Sequence, residues 1–247
     1  MPRRREIDDM APEKGTLFIV ATPIGNPEDI SPRALSVLKS VDLIAAEDTR
    51  VAGRFLKGHG IDTPLVSFFE HNEIRKMEGL LEHLGAGASI AVISDAGTPL
   101  ISDPGYRLVR AAQERGIKVV PVPGPSAVMA ALSVAGLPTD RFLFAGFPPR
   151  KAGKLERELR ELSELPYTLV FFESPHRLMK TLEAMRDPFG GRTVVLCREL
   201  TKPYEEILRG TPGALISALA GRKIRGEVTL IVEGKGKQKP GKKKPGP

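Results

Sequence analysis

Apolar residues fall in short runs: Leu17 to Ala21, Leu43 to Ala46 and Ile90 to Ile93 without a break, Leu65 to Phe68 broken by Ser67, and Ile117 to Val122 broken by Lys118. Runs of this length without polar alternation mark strands covered on both faces. Helical stripes lie between them. Ser31-Pro32 reads as a cap followed by a first-turn proline, and Leu35, Leu38 and Val41 give the stripe behind it. A second helix passes through Phe55-Leu56 and closes at Gly58, and a third runs from an Asn72 cap to Leu84. A fourth spans Tyr106 to Arg115, and a small-residue helix follows Ser126 and ends near Gly136. Strand and helix alternate five times, which predicts an α/β domain with a parallel five-stranded sheet over residues 15–138.

Leu137-Pro138-Thr139-Asp140 breaks the alternation and predicts a domain boundary there. The second α/β domain, 139–234, reads differently. A charged amphipathic helix covers about Leu155 to Leu165, and Tyr167 to Phe172 is a strand. Ser174-Pro175 repeats the cap-plus-proline start, and Thr193 to Cys197 is another strand. Tyr204 to Leu208 can pair with it antiparallel, because so little chain lies between. Thr211-Pro212 opens a last helix and Glu227 to Val232 forms a last strand, so this sheet is mixed.

The loops after the strands of the first domain are unusual. Ser94 to Gly105 packs two Gly, two Pro, two Asp, two Ser and a Thr between a strand and a helix. Residues 22–29 and 123–127 have the same Pro/Gly/hydroxyl character. In a parallel sheet these loops share one end, where open α/β sheets bind ligands. Glu47, Asp48, Asp95 and Asp103 belong to the same end, which suits a ligand with hydroxyls and some positive charge. Spacing alone therefore predicts a small polar cofactor in a cleft between two domains.

Composition narrows the class. The chain of 247 residues carries a net charge of +7, but six of those charges are the lysines of residues 235–247, which contain no acid. The rest is nearly neutral. This Lys/Gly/Pro tail and residues 1–14 cannot bury enough apolar surface to fold and are expected to be disordered. No apolar run is long enough to span a membrane, and Met1-Pro2-Arg3-Arg4-Arg5 lacks the apolar stretch of a secretory signal. The single cysteine, Cys197, excludes an internal disulfide and fits a cytoplasmic protein. There is no phosphate-gripping G-x-x-x-x-G-K-[ST], no G-x-G-x-x-G, no G-x-S-x-G and no C-x-x-C, and the four histidines are scattered. No metal site is expected.

Five segments carry a resemblance: Thr22-Pro23-Ile24-Gly25-Asn26, Ala46 to Arg50, Ser94 to Gly105, Pro123 to Ala127, and Phe171 to Arg177. Together and in this order they resemble the tetrapyrrole methylase superfamily, over roughly residues 15–234. Relatives that act on tetrapyrroles carry a Gly-Gly-Asp version of the central loop, whereas this one reads Asp95-Ala96-Gly97-Thr98, as in the branch that modifies small-subunit ribosomal RNA. The resemblance implies S-adenosylmethionine as cofactor and 2′-O-methylation of a cytidine ribose in the decoding region of 16S rRNA. It implies the small ribosomal subunit as partner, a homodimer and no membrane. Implied cofactor contacts in the first domain are Pro23, Asp95, Ala96, Gly97, Thr98, Pro99, Leu100, Ser126 and Ala127. In the second they are Phe172, Glu173, Leu200, Glu227 and Val228.

A ribose hydroxyl is a poor nucleophile, so something must take its proton or stabilise the alkoxide. The polar groups expected near the cofactor are Glu47, Asp48, Arg50, Glu173, Arg177, Glu199 and Lys202, of which Asp48, Arg50, Glu173, Arg177 and Lys202 are the catalytic candidates. Asp48 and Arg50 could equally pair with each other, and Glu173 could merely orient Arg177. Arg150-Lys151, with Arg177 and Lys202, could grip phosphates or be a solvated face. Phe142, Phe144 and Phe147 read as core or interface rather than as base-stacking platforms. The alternatives are a methylase of a small tetrapyrrole-like substrate and a non-catalytic RNA-binding or assembly protein.

Overall fold

The computed structural model describes residues 15–236. The expectations for residues 1–14 and most of the basic tail lie outside them. The described residues divide into two compact units, with the boundary between Ser126 and Ala127.

The first unit is built on β1 (Thr16–Val20), β2 (Leu43–Ala46), β3 (Leu65–Ser67), β4 (Ile90–Ile93) and β5 (Lys118–Val122). All pairings are parallel and the order is β3-β2-β4-β1-β5. The helices are α1 (Pro32–Ser40), α2 (Thr49–Gly58), α3 (Glu73–Gly85) and α4 (Tyr106–Glu114). Alternate residues of each central strand feed different cores, as the pleat requires. Phe18, Ile44, Ala91 and Ile93 pack with Leu38 of α1 and Leu56 of α2. Leu17, Ala45, Ile90 and Val92 pack with Leu81 and Leu84 of α3 and Leu108 of α4. That two-sided burial is why the strands read as unbroken apolar runs.

One local expectation changes. Ser31 caps α1 as expected, accepting from Ala34 N–H. Asn72 precedes α3 but does not cap it: its Oδ1 accepts from Phe69 N–H at 2.8 Å and its Nδ2 donates to Ser67 O at 3.2 Å. With φ −112° and ψ −5°, its side chain is turned back onto the turn before the helix.

The second unit opens with α5 (Ala127–Ala135), which packs against the last strand, β10 (Val228–Val232). The predicted boundary at 138 thus gives way to one at 126/127. The Leu137-Pro138 break follows a helix that already belongs to the second core. The remaining strands are β6 (Phe142–Gly146), β7 (Thr168–Glu173), β8 (Val194–Arg198) and β9 (Glu206–Gly210), in the order β6-β7-β10-β8-β9. Only β6-β7 is parallel. The predicted β8–β9 pairing is present. β6 has no counterpart in the sequence reading. It is a half-exposed edge strand whose apolar run merges into a Pro-Pro loop.

Helices α6 (Ala152–Ser163), α7 (Leu178–Phe189) and α8 (Pro212–Leu219) cover one face, burying Leu159, Leu182 and Leu215 against Phe171, Leu196 and Leu230. Thr211 caps α8. Ser174-Pro175 does not open α7: Ser174 O accepts from both Arg177 and Leu178 N–H in a preceding turn, and the helix starts at Leu178. Cys197 is buried in β8, and burial pushes its thiol up to about 11, so it is an inert core residue.

Candidate functional site

Because every strand of the first unit points the same way, the segments after β1, β2, β4 and β5 share one edge. They are also bonded to one another. Thr22 and Gly97 exchange backbone hydrogen bonds at 2.9 and 3.1 Å. Thr22 Oγ1 donates to Ser94 O at 3.2 Å, and Thr98 Oγ1 donates to Pro125 O at 3.0 Å. Asp48 N–H donates to Asp95 Oδ1 at 3.1 Å. Pro23, Asp95 to Leu100 and Ser126 are therefore brought together, and Ala127 follows Ser126 directly.

The central loop needs its composition. Gly97 has φ +82°, and a Cβ there would lie 3.2 Å from Ile24 Cγ2. Leu100 and Ser102 also take left-handed backbone, at φ +72° and +68°. Such angles cost about 1–2 kcal/mol per non-glycine residue and persist only where surroundings impose them. One of the imposing groups escaped the sequence reading. Glu73, in the first turn of α3, is buried, and its Oε1 accepts from Gly105 N–H at 3.2 Å. A glutamate in a helical first turn reads as ordinary dipole chemistry, and only the fold shows that it anchors the far end of the loop.

The carboxylates at this edge act on one another. Burial raises the pKa of Glu47, and the charges of Asp103, Asp95 and Asp48 add to it. Burial also raises Asp103, with Asp95 adding. Asp48 is different: hydrogen bonds from Arg50 hold its carboxyl far below the usual range. Arg50 Nη2 lies 2.6 Å from Asp48 Oδ2, and its backbone N–H also donates to Asp48, which caps α2.

The second unit assembles its predicted residues too. Val228 sits between Glu173 of β7 and Arg198 of β8 in the register. Phe172, Glu173, Leu200, Glu227 and Val228 thus share one end of that sheet. Glu173 is a structural group. Its carboxylate accepts from Ser174 N–H at 2.7 Å and from Thr181 Oγ1, and lies 3.6 Å from Arg177 Nη1. Arg177 in turn donates to Pro148 O and Pro149 O, both at 2.8 Å. Lys202 Nζ lies 3.0 Å from Glu199 Oε1 and 3.1 Å from Glu227 Oε2. Burial opposes charge on Glu199, but hydrogen bonds from Glu227 N–H and Lys202 prevail and lower its pKa. Among the described residues no histidine, cysteine and carboxylate cluster could hold a metal.

The family model described as tetrapyrrole (corrin/porphyrin) methylases matches residues 16–216. The chain belongs to that family. Among its relatives, a ribosomal RNA small subunit methyltransferase I from Pseudomonas aeruginosa is 54% identical over 224 residues, 89% of this chain and 79% of the relative. Its namesake from Halalkalibacterium halodurans is 49% identical, over 92% of this chain and 78% of the relative. Solved methylase-fold structures agree in fold. Uroporphyrin-III C-methyltransferase from Thermus thermophilus matches with TM-score 0.62 at 22% identity, covering 89% of this chain and 94% of its own. Diphthine synthase matches with TM-score 0.66 at 13% identity, covering 88% of this chain and 89% of its own.

The methyl donor of this methylase family is S-adenosylmethionine. The residues present fit it. A backbone-built cradle that a Cβ at Gly97 would obstruct suits hydrogen bonding to a small polar molecule. The mutually repelling carboxylates suit a cationic sulfonium and ribose hydroxyls.

Proposed function

We infer that this methylase transfers the methyl group of S-adenosylmethionine to the ribose 2′-oxygen of a cytidine in the decoding region of 16S rRNA. The observation that carries the reading is the 54% identity to a relative named for small-subunit ribosomal RNA methylation. The nearly neutral chain outside its lysine-rich end favours the assembled small subunit, recognised by shape, as substrate. A cytoplasmic homodimer is part of the same reading. Among the described residues no helix is long and apolar enough to cross a membrane, which agrees with a substrate in solution.

The bound donor supplies an electrophilic methyl carbon on a sulfonium. The protein then has to align an oxygen with it and receive that oxygen's proton. Pro23, Asp95 to Leu100 and Ser126 are the donor contacts of the first unit; Ala127, Phe172, Glu173, Leu200, Glu227 and Val228 are those of the second. Of the catalytic candidates, Asp48, Arg50 and Lys202 keep partly accessible polar groups. Glu173 and Arg177 act through the loops they hold. Glu47 joins the proton acceptors, because a carboxylate with a raised pKa is the stronger base.

The test is label transfer. Methyl-labelled donor and small subunits lacking the modification are incubated with the enzyme, and the RNA is hydrolysed in alkali. A 2′-O-methyl group blocks cleavage of the adjoining phosphodiester, so the expected product is a labelled, alkali-resistant dinucleotide containing cytidine. Label on a base, or on a tetrapyrrole but not RNA, would refute the reading.

A further inference from the structure

Phe147 follows β6 directly and is 56% exposed, although a phenylalanine on an edge loop would ordinarily turn inward. Its ring is backed by that of Phe172. The centroid lies 5.6 Å from that of Phe172, tilted by 59°, and Phe172 packs edge-on against Phe144 at 4.8 Å. The loop behind the ring is fixed. Pro148 and Pro149 restrict its backbone, and Arg177 donates to the carbonyl oxygens of both at 2.8 Å. Arg177 is itself held beside the buried Glu173.

The chain that follows the ring is cationic: residues 147–155 contain Arg150, Lys151 and Lys154 and no acid, and all three cations are exposed. A single open ring among cations is too small an apolar surface for a stable protein interface. It does match what single-stranded nucleic acid offers, which is flat bases to stack and phosphates to pair.

We propose that Phe147 is a stacking platform for a base of the RNA substrate, with Arg150 and Lys151 on the flanking phosphates. This rests on the ribosomal RNA reading above and adds to it where the strand is gripped. Because the ring is already held by Phe172 and the Arg177-pinned loop, stacking orders little of the protein, and the affinity is not spent on immobilising a mobile side chain. Phe172 is also among the donor contacts, so the platform would stand next to the methyl donor.

The experiment uses the full chain and small ribosomal subunits lacking the modification. Phe147→Leu keeps an apolar side chain and removes the flat face; Phe147→Tyr restores a face. Phe147→Leu is expected to raise the KM for subunits roughly 5- to 100-fold, the range that loss of one base–aromatic stack gives. Phe147→Tyr keeps the wild-type KM, and calorimetry finds the same donor affinity in all three proteins. Arg150→Ala and Lys151→Ala each reduce the slope of log affinity against log salt by about one. If the wild type labels subunits and Phe147→Leu has the wild-type KM, the platform is refuted and the methylation reading stands. If Phe147→Leu changes the sedimenting mass, the ring belongs to a contact between copies, and the platform is refuted again. If the wild type places no label on subunits, the parent reading falls and takes the platform with it.

Discussion

Around Glu47 the first unit crowds carboxylates together, whereas around Glu199 the second interleaves them with a cation and backbone donors. Glu47 feels Asp103, Asp95 and Asp48, all of the same sign, and its pKa is raised. Glu199 accepts from Lys202 and from Glu227 N–H, and its pKa is lowered. A region with its charges matched stabilises the fold by itself. One with like charges held together gives up stability unless something positive arrives. The comparison marks the first unit's edge as the ligand-seeking one and the network around Glu199 as satisfied within its own unit.

The largest effect that probes this contrast is at Gly226, in the satisfied region. Its φ is +87°, and a Cβ would lie 2.3 Å from Glu199 Cδ. Gly226→Ala must displace Glu199, which leaves Glu227 N–H without its acceptor and Lys202 with Glu227 alone. A loss of about 2–4 kcal/mol in denaturant unfolding is expected, from left-handed backbone plus displaced charged hydrogen bonds. A loss within experimental error would mean that the network contributes little.

Next in size is Glu73→Ala. It leaves the Gly105 N–H without its acceptor inside the protein. The expected cost is about 1–3 kcal/mol. Donor affinity should fall as well, since the loop of Leu100 and Ser102 loses an anchor. Glu73→Gln, which retains an acceptor oxygen, should recover most of both. If Glu73→Ala weakened stability but left donor affinity untouched in calorimetry, loop anchoring would not be its function.

The two regions should also respond to acid in opposite directions. A carboxyl whose folded pKa is raised binds its proton more tightly folded than unfolded, so stability falls as pH rises through the window above the ordinary value. For Glu47 that penalty is complete at neutral pH. Glu47→Gln should therefore raise Tm at pH 7, and its advantage should vanish as pH falls through the glutamate range. Glu199 has a lowered pKa, so its contribution is present above the ordinary value and is lost as pH falls through the folded one. Glu199→Gln should lower Tm at pH 7 and converge with wild type in acid. Thermal scans from pH 7 to 3 decide it: variant curves of the same sign would dissolve the distinction between the regions.

What was legible in the sequence follows from range. The parallel sheet was, because burial on both faces writes itself as runs such as Ile90 to Ile93. The α1 and α8 caps were, because Ser31-Pro32 and Thr211-Pro212 bond to their own first turns. β6 was not, since an edge strand with one half-open face lacks a clean period. The unit boundary was not, because α5 has the composition of a buried helix whichever core it joins. At the site, the strand-end loops were legible as chemistry. The division of labour was not: Glu73 reaches Gly105 across 32 positions and Arg177 reaches Pro148 across 29, and no local pattern records such contacts.

The smallest effect is expected at Arg50, and it sets the limit of the comparison. The Asp48–Arg50 pair stands at the carboxylate-crowded edge yet is internally neutralised, with the arginine side chain 86% exposed. Exposed pairs of this kind contribute little to stability. Asp48 also caps α2 through Arg50 N–H, a backbone bond that survives loss of the guanidinium. Arg50→Met should therefore leave Tm unchanged and let the Asp48 carboxyl titrate nearer its ordinary range, which carbon-detected NMR can follow. The kinetic outcome discriminates. If Arg50 pairs only with Asp48, the KM for small subunits and its salt dependence do not move. If it also meets RNA, the KM rises and the salt slope falls by about one phosphate contact. In that second case the ligand-seeking edge would recruit polyanion and cationic donor through adjacent groups of opposite sign.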